Sequence, residues 1–147
     1  AKMGREKDCG LFPLHITQCT FLRSCFGWEA FTLFGVILFA DRVPERDSVR
    51  HETIHYRQYK ELAFLGMPIL YLTALVVGLL VYTWRGRCDS LAAICECGYM
   101  ANPFEREAYF GETRRAYLDR RKPFSWWKYV GTFPPKEYFV DSPNDDD

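Results

Sequence analysis

Val49-Arg50-His51-Glu52-Thr53-Ile54-His55-Tyr56-Arg57-Gln58-Tyr59-Lys60-Glu61-Leu62 decides the reading of this chain. At its centre, His51 and His55 stand four residues apart, which on a helix puts both imidazoles on one face about one turn apart. Two imidazoles so placed can hold one metal ion. Glu52 is turned by about 100° from His51, so its carboxylate can approach a metal-held water instead of the metal. That is the position of a general base. Upstream, Pro44 opens the helix, with Asp47 or Ser48 as an alternative cap. The competing reading is an ordinary polar helix face.

Two neighbouring segments weigh against that reading. Before the helix, CFGWEAFTLFGVILFA (25–40) is rich in Phe, Val, Ile and Leu, broken by Gly27 and Gly35, and reads as one or two buried strands. After it, a second helix is expected from about Pro103 to Arg121, with Pro103 in its first turn and Pro123 beyond its end. This helix carries Glu105 and Glu107, one of which supplies the third ligand that a catalytic zinc site needs. On a helix the two side chains point about 200° apart, so only one can face the histidines. Glu105 is preferred, because small Ala108 on its side lets two helices approach closely. Glu107 and Tyr109 are the alternatives as ligand or as a support behind the ligands. His15, in the apolar arm FPLHITQ, is read as a core or surface histidine.

The segment LAFLGMPILYLTALVVGLLVYTW (62–84) carries no charge and is long enough for a transmembrane helix. A straight helix of that length, about 34 Å, would put His55 and Glu105 on opposite sides of a bilayer. A return through residues 85–102 would carry Arg85, Arg87, Asp89 and Glu96 into lipid, which is forbidden for an extended chain. The expected solution is a turn at Gly66-Met67-Pro68 that sends the apolar helix back beside the first one. Its outer side then forms a membrane face or a hydrophobic partner surface.

The chain has 147 residues, about one domain, and is 48% hydrophobic with 19 basic and 19 acidic side chains. The even charge balance, with bases interleaved among acids, excludes a nucleic-acid footprint. A single domain is expected over residues 1–140, with 1–20 as an irregular arm, 85–102 as a mixed connection, and DSPNDDD (141–147) as an acidic tail. No secretory signal pattern is legible, so the six cysteines are expected as reduced thiols on the cytoplasmic side. Cys95 and Cys97 lack the spacing of a structural zinc site.

HETIHYRQYKEL, NPFEREAY and DRRKPFSWWKY together resemble a family of small uncharacterised bacterial proteins carrying HExxHxxQ and FEREAY. More distantly, the chain is similar to gluzincin-type membrane metallopeptidases, whose second motif has the form ExxAD. The resemblance implies a zincin-like helix pair with Glu105 as zinc ligand. Tyr109 stands where the aspartate that normally orients a ligand histidine would be. The expected fold is mainly α with a short β element (α+β), plus one hydrophobic helix. The expected function is zinc-dependent hydrolysis of a peptide or protein substrate at a membrane. Zinc would be held by His51, His55 and Glu105, Glu52 would be the base, and Arg114, Arg115 or Tyr109 would steady the oxyanion. The alternative is a non-catalytic, membrane-associated structural or interaction protein with a structural zinc or no metal.

Overall fold

The computed structural model describes residues 13–140, so the acidic tail, Cys9 and the first part of the arm lie outside the described residues. The helices are α1 (Arg46–Glu61), α2 (Gly66–Arg85), α3 (Leu91–Met100), α4 (Pro103–Glu112), α5 (Tyr117–Arg120) and α6 (Lys136–Val140). A small sheet contains β1 (Leu14–Ile16), β2 (Ala30–Leu33) and β3 (Val36–Phe39) in the order β1-β3-β2. The architecture is therefore mainly α with a short β element.

The two strands expected within 25–40 form a hairpin, β2 antiparallel to β3 with Phe31 opposite Leu38. Phe34 and Gly35 turn it, both with positive φ, as a two-residue hairpin loop requires. The third strand was not expected. β1 pairs parallel to β3 through Leu14 and Val36, inside what had read as an irregular arm. Three residues are too few to display an alternating pattern. β3 is the middle strand and buries Ile37 and Phe39 against Tyr56 of α1.

Helix α1 begins at Arg46, two residues after Pro44, with Glu45 in the extended cap position and Asp47 in its first turn. Its buried stripe is unusual. His51, His55 and Gln58 recur at helical spacing beside Ile54, so the face turned inward is largely polar. Buried polar groups persist only with partners.

The chain reverses after α1, but four residues earlier than expected. Ala63 and Phe64 take positive φ between α1 and α2, and Gly66, Met67 and Pro68 instead form the first turn of α2. Proline is tolerated there because the first N–H groups of a helix have no intrahelical partner. Residues 62–84 are thus not one straight helix.

The stretch 85–102 is also more ordered than a mixed connection. Ser90 caps α3 by accepting from the Ala93 N–H, and α3 returns along α2 through a close contact at Gly78 and Gly98. A Cβ on Gly78 would lie 3.0 Å from the Gly98 carbonyl oxygen. Asn102 then caps α4 and donates to the Tyr71 carbonyl, fixing the start of α4 against α2.

Helix α4 ends at Glu112, well short of Arg121, and α5 follows separately. It lies against α1 at Gly111, where a Cβ would come within 2.6 Å of Ile54 Cδ1 and would also meet the Tyr117 ring. Tyr59, Met67, Phe104 and Trp126 close the core between α1, α2, α4 and the aromatic C-terminal segment.

Candidate metal centre

The α1/α4 pair brings His51, His55 and Glu105 together, all three buried, with one ligand atom from each within 4.8 Å of the others. This group can hold a metal ion. His51 Nε2 lies 3.3 Å from Glu105 Oε2, and His55 Nε2 lies 3.4 Å from Glu105 Oε1. The two Nε2 atoms are 3.1 Å apart.

What stands behind the imidazoles fixes their direction. His51 Nδ1 meets Glu112 Oε2 at 2.7 Å, and a carboxylate can only accept, so Nδ1 donates. His55 Nδ1 meets Gln58 Oε1 at 2.8 Å. The amide nitrogen of Gln58 is itself committed, donating to Glu107 Oε2 at 2.9 Å and to the Phe104 carbonyl at 3.1 Å. Both rings therefore carry their hydrogen on Nδ1 and turn the Nε2 lone pairs toward each other and toward Glu105. Such a convergence is repulsive unless a proton or a metal cation sits among the lone pairs.

Glu105 completes this arrangement. Its Oε1 accepts from the Tyr71 hydroxyl at 2.7 Å, whereas its Oε2 is buried and has no hydrogen-bond partner among the described residues. A buried carboxylate that sets one oxygen toward each imidazole, with Oε2 left without a hydrogen-bond partner, fits a metal ligand set. The electrostatics agree. Burial opposes a charge on His51, but the Glu105 and Glu112 carboxylates outweigh it and push the imidazole up to about 10. Burial likewise opposes ionisation of Glu105, yet His55 and His51 hold its carboxyl well below the usual range.

Glu52 lies beside the cluster, itself buried, and Oε2 accepts from the Thr32 hydroxyl on β2. Tyr109 sets its ring edge-on to His51, 4.7 Å between centroids. Glu107 lies elsewhere: it accepts from Gln58, from the Tyr117 hydroxyl at 2.8 Å and from Arg121. Arg114 donates to the Phe110 carbonyl and packs over the Phe110 ring, and neither it nor Arg115 lines the cavity at the histidines. Their proposed oxyanion role is therefore corrected.

Sequence reasoning gave no role to Gln58, Glu112, Tyr71 or Thr32. Two of these carried a signal. Gln58 is seven residues after His51, and Glu112 seven after Glu105, so each shares a face with a candidate ligand. Glu112 supplies the carboxylate behind a histidine that the tyrosine at position 109 cannot.

No family model, curated protein or solved structure matches the chain. The likeness to zincins accordingly rests on HETIH and FEREAY alone. What the fold and site define is an α+β protein with a buried two-histidine, one-glutamate cluster able to bind a metal ion.

Proposed function

We propose that this protein is a zinc-dependent peptide hydrolase that works at a membrane surface. The observation that carries the reading is the convergence of His51 Nε2, His55 Nε2 and the orphaned Glu105 Oε2 beside a buried Glu52. Two imidazoles and one carboxylate are a donor set suited to zinc, with room for a fourth position. Zinc bound by these three residues would supply Lewis acidity, polarising a water and a peptide carbonyl.

The remaining work belongs to the chain. Glu52 accepts the proton of the attacking water as its oxygen bonds to the carbonyl carbon. The same carboxyl then passes that proton to the amide nitrogen as the C–N bond breaks, leaving a carboxylate and an amine. The Thr32 hydroxyl holds one oxygen of Glu52 and leaves the other for this exchange. Strand β2, which carries Thr32, is an edge of the sheet and lines the cavity, so an extended peptide can lie along it.

The membrane part of the reading is supported by α2. This helix has 20 residues, with a mean hydropathy of 1.9 over an 18-residue window, and only Met67, Gly78 and Tyr82 are buried. Ile69, Leu72, Val76, Leu80 and Trp84 lie exposed along an arc of roughly 120° at helical spacing. The two hydroxyls on that arc, Thr73 and Thr83, donate back to the Ile69 and Leu79 carbonyls at 2.8 and 2.7 Å. They make no demand for water, as a lipid-facing surface requires. Arg85 and Arg87 follow at its end, where cations meet anionic headgroups. The reading places the protein on the cytoplasmic, reducing side; the five described cysteines are free thiols.

Metal analysis and turnover test the central claim together. The purified protein should carry close to one zinc per chain, and Glu52→Gln should keep the zinc while losing peptide hydrolysis. Turnover unchanged in that variant would show that Glu52 is not the base, and zinc binding without any hydrolysis in the wild type would favour the non-catalytic alternative. Flotation with anionic vesicles tests the surface, with Ile69→Lys and Leu80→Lys expected to abolish it.

A further inference from the structure

We infer that the substrate is an internal, apolar stretch of polypeptide without acidic residues next to the bond cleaved; the inference rests on the hydrolytic reading above. The cavity at the histidines has a volume of about 840 Å³. Its walls, away from the cluster, come from Trp28, Phe31 and Leu33 on the strand side and from Leu72 and Leu75 on α2. Trp28, Leu33 and Leu72 are also exposed, so the rim as well as the wall is apolar.

Acidic side chains outnumber basic ones, the latter being His51 and His55, both turned to the metal site. Glu29, Glu52, Glu105 and Glu112 line the cavity, and no lysine or arginine does so among the described residues. Away from the metal site, no cationic side chain among the described lining residues is present to receive a carboxylate, whether an acidic side chain or a chain terminus.

A free amino terminus is no better served. Recognition of an ammonium group needs an uncommitted carboxylate at a fixed place. Glu112 is engaged by His51, and Glu29 is mostly exposed and paired with Arg23 at 3.2 Å. Glu52 and Glu105 face the reacting centre. Both ends of a peptide therefore lack a partner, while an uncharged apolar segment matches wall, rim and edge strand. This class of substrate also fits the opening of the cavity beside the exposed face of α2, since Leu72 belongs to both.

The test uses zinc-loaded full-length protein and octapeptides blocked by acetyl and amide groups. One is rich in Leu and Phe around its centre, a second has Asp at the two central positions, and a third, unblocked at its C-terminus, is the apolar peptide shortened to end in a free carboxylate two residues past the bond cleaved in the first. Matching peptide hydroxamates, which bind a metal without being cut, measure affinity independently of turnover, in the wild type and in Glu52→Gln. The apolar blocked peptide should show kcat/KM at least about tenfold above the other two, and its hydroxamate should bind tighter by a similar factor. Leu72→Lys, a change at an exposed position, should shift the ratio toward the acidic peptide by about tenfold. Equal cleavage of all three, or a ratio unmoved by Leu72→Lys, overturns this inference and leaves hydrolysis standing. Tight, selective hydroxamate binding without cleavage of any peptide overturns the hydrolytic reading instead, and keeps the apolar class of occupant.

Discussion

Glu105 and Glu107 stand two residues apart on α4, both buried, and their surroundings are opposite in kind. Around Glu107 every oxygen is satisfied. Oε1 accepts from Tyr117 and Arg121, Oε2 from Gln58 and Arg121, and Arg121 also grips Glu61, which accepts from the Trp126 indole. Around Glu105 one oxygen takes a single tyrosine hydroxyl, and the other, without a hydrogen-bond partner among the described residues, lies 3.3 Å from His51 Nε2. A carboxylate surrounded by donors is a finished structural element. A carboxylate set against two imidazoles is half of an interaction whose other half is a cation, a proton or a metal ion. The identity of the residue is the same; the company it keeps separates scaffold from site.

The sharpest way to break this contrast is at the scaffold. Arg121→Met should cost about 3–5 kcal/mol, because the buried Glu107 and the partly buried Glu61 lose their cation at once. Urea denaturation of the metal-free protein measures it, and a loss below about 1 kcal/mol would show that the network is not what holds α1 to α4 and α5. Next comes the site: Glu105→Gln should weaken zinc binding by more than about 100-fold, beyond what a supporting residue commands. Competition with a chromophoric chelator reads this directly. If Glu107→Gln, tested beside it, lost more zinc affinity, the assignment of the two glutamates would be reversed.

A smaller effect lies behind the ligands. Glu112→Gln should lower zinc affinity by about 10 to 100-fold, since His51 keeps a partner but loses its anion. The same variant sharpens the electrostatics. Without metal, the raised His51 value stabilises the fold below its ordinary range near 6.5, and that contribution fades as pH rises through about 10. Zinc must displace that proton, so affinity should rise with pH between 6 and 8, by no more than about tenfold per unit. Calorimetry in buffers of different ionisation enthalpy counts the released proton, and Glu112→Gln should release less.

Much of this contrast was legible in the sequence, for a geometric reason. HETIH fixes two imidazoles on one face of α1, and a 200° separation forces the two glutamates of FEREAY into different surroundings. The helix pair and the β2–β3 hairpin announce themselves by apolar runs and proline. Other features left little trace. The reversal between α1 and α2 falls on Ala63 and Phe64, which rarely adopt positive φ, while the obvious candidates, Gly66 and Pro68, serve inside α2. Helix α3 hides because Gly98 and two cysteines dilute its period, although Ser90 is a sound cap. The early end of α4 is marked only by Gly111, inside its last turn, and by no proline. Arg121, expected at the end of that helix, instead reaches back from beyond α5.

The absence of a side chain at Gly111 sets how near α4 can lie to α1, with Ile54 filling the space a Cβ would need. The distance between the glutamate of one helix and the histidines of the other is therefore a packing dimension before it is a chemical one. Ion size enters through that dimension. A cage drawn tight by a glycine suits a small ion with short bonds, and prising the helices apart by one methyl group favours a larger one. Gly111→Ala should accordingly lower the ratio of zinc to manganese affinity, so that selectivity among metals is written partly in a residue that touches none of them.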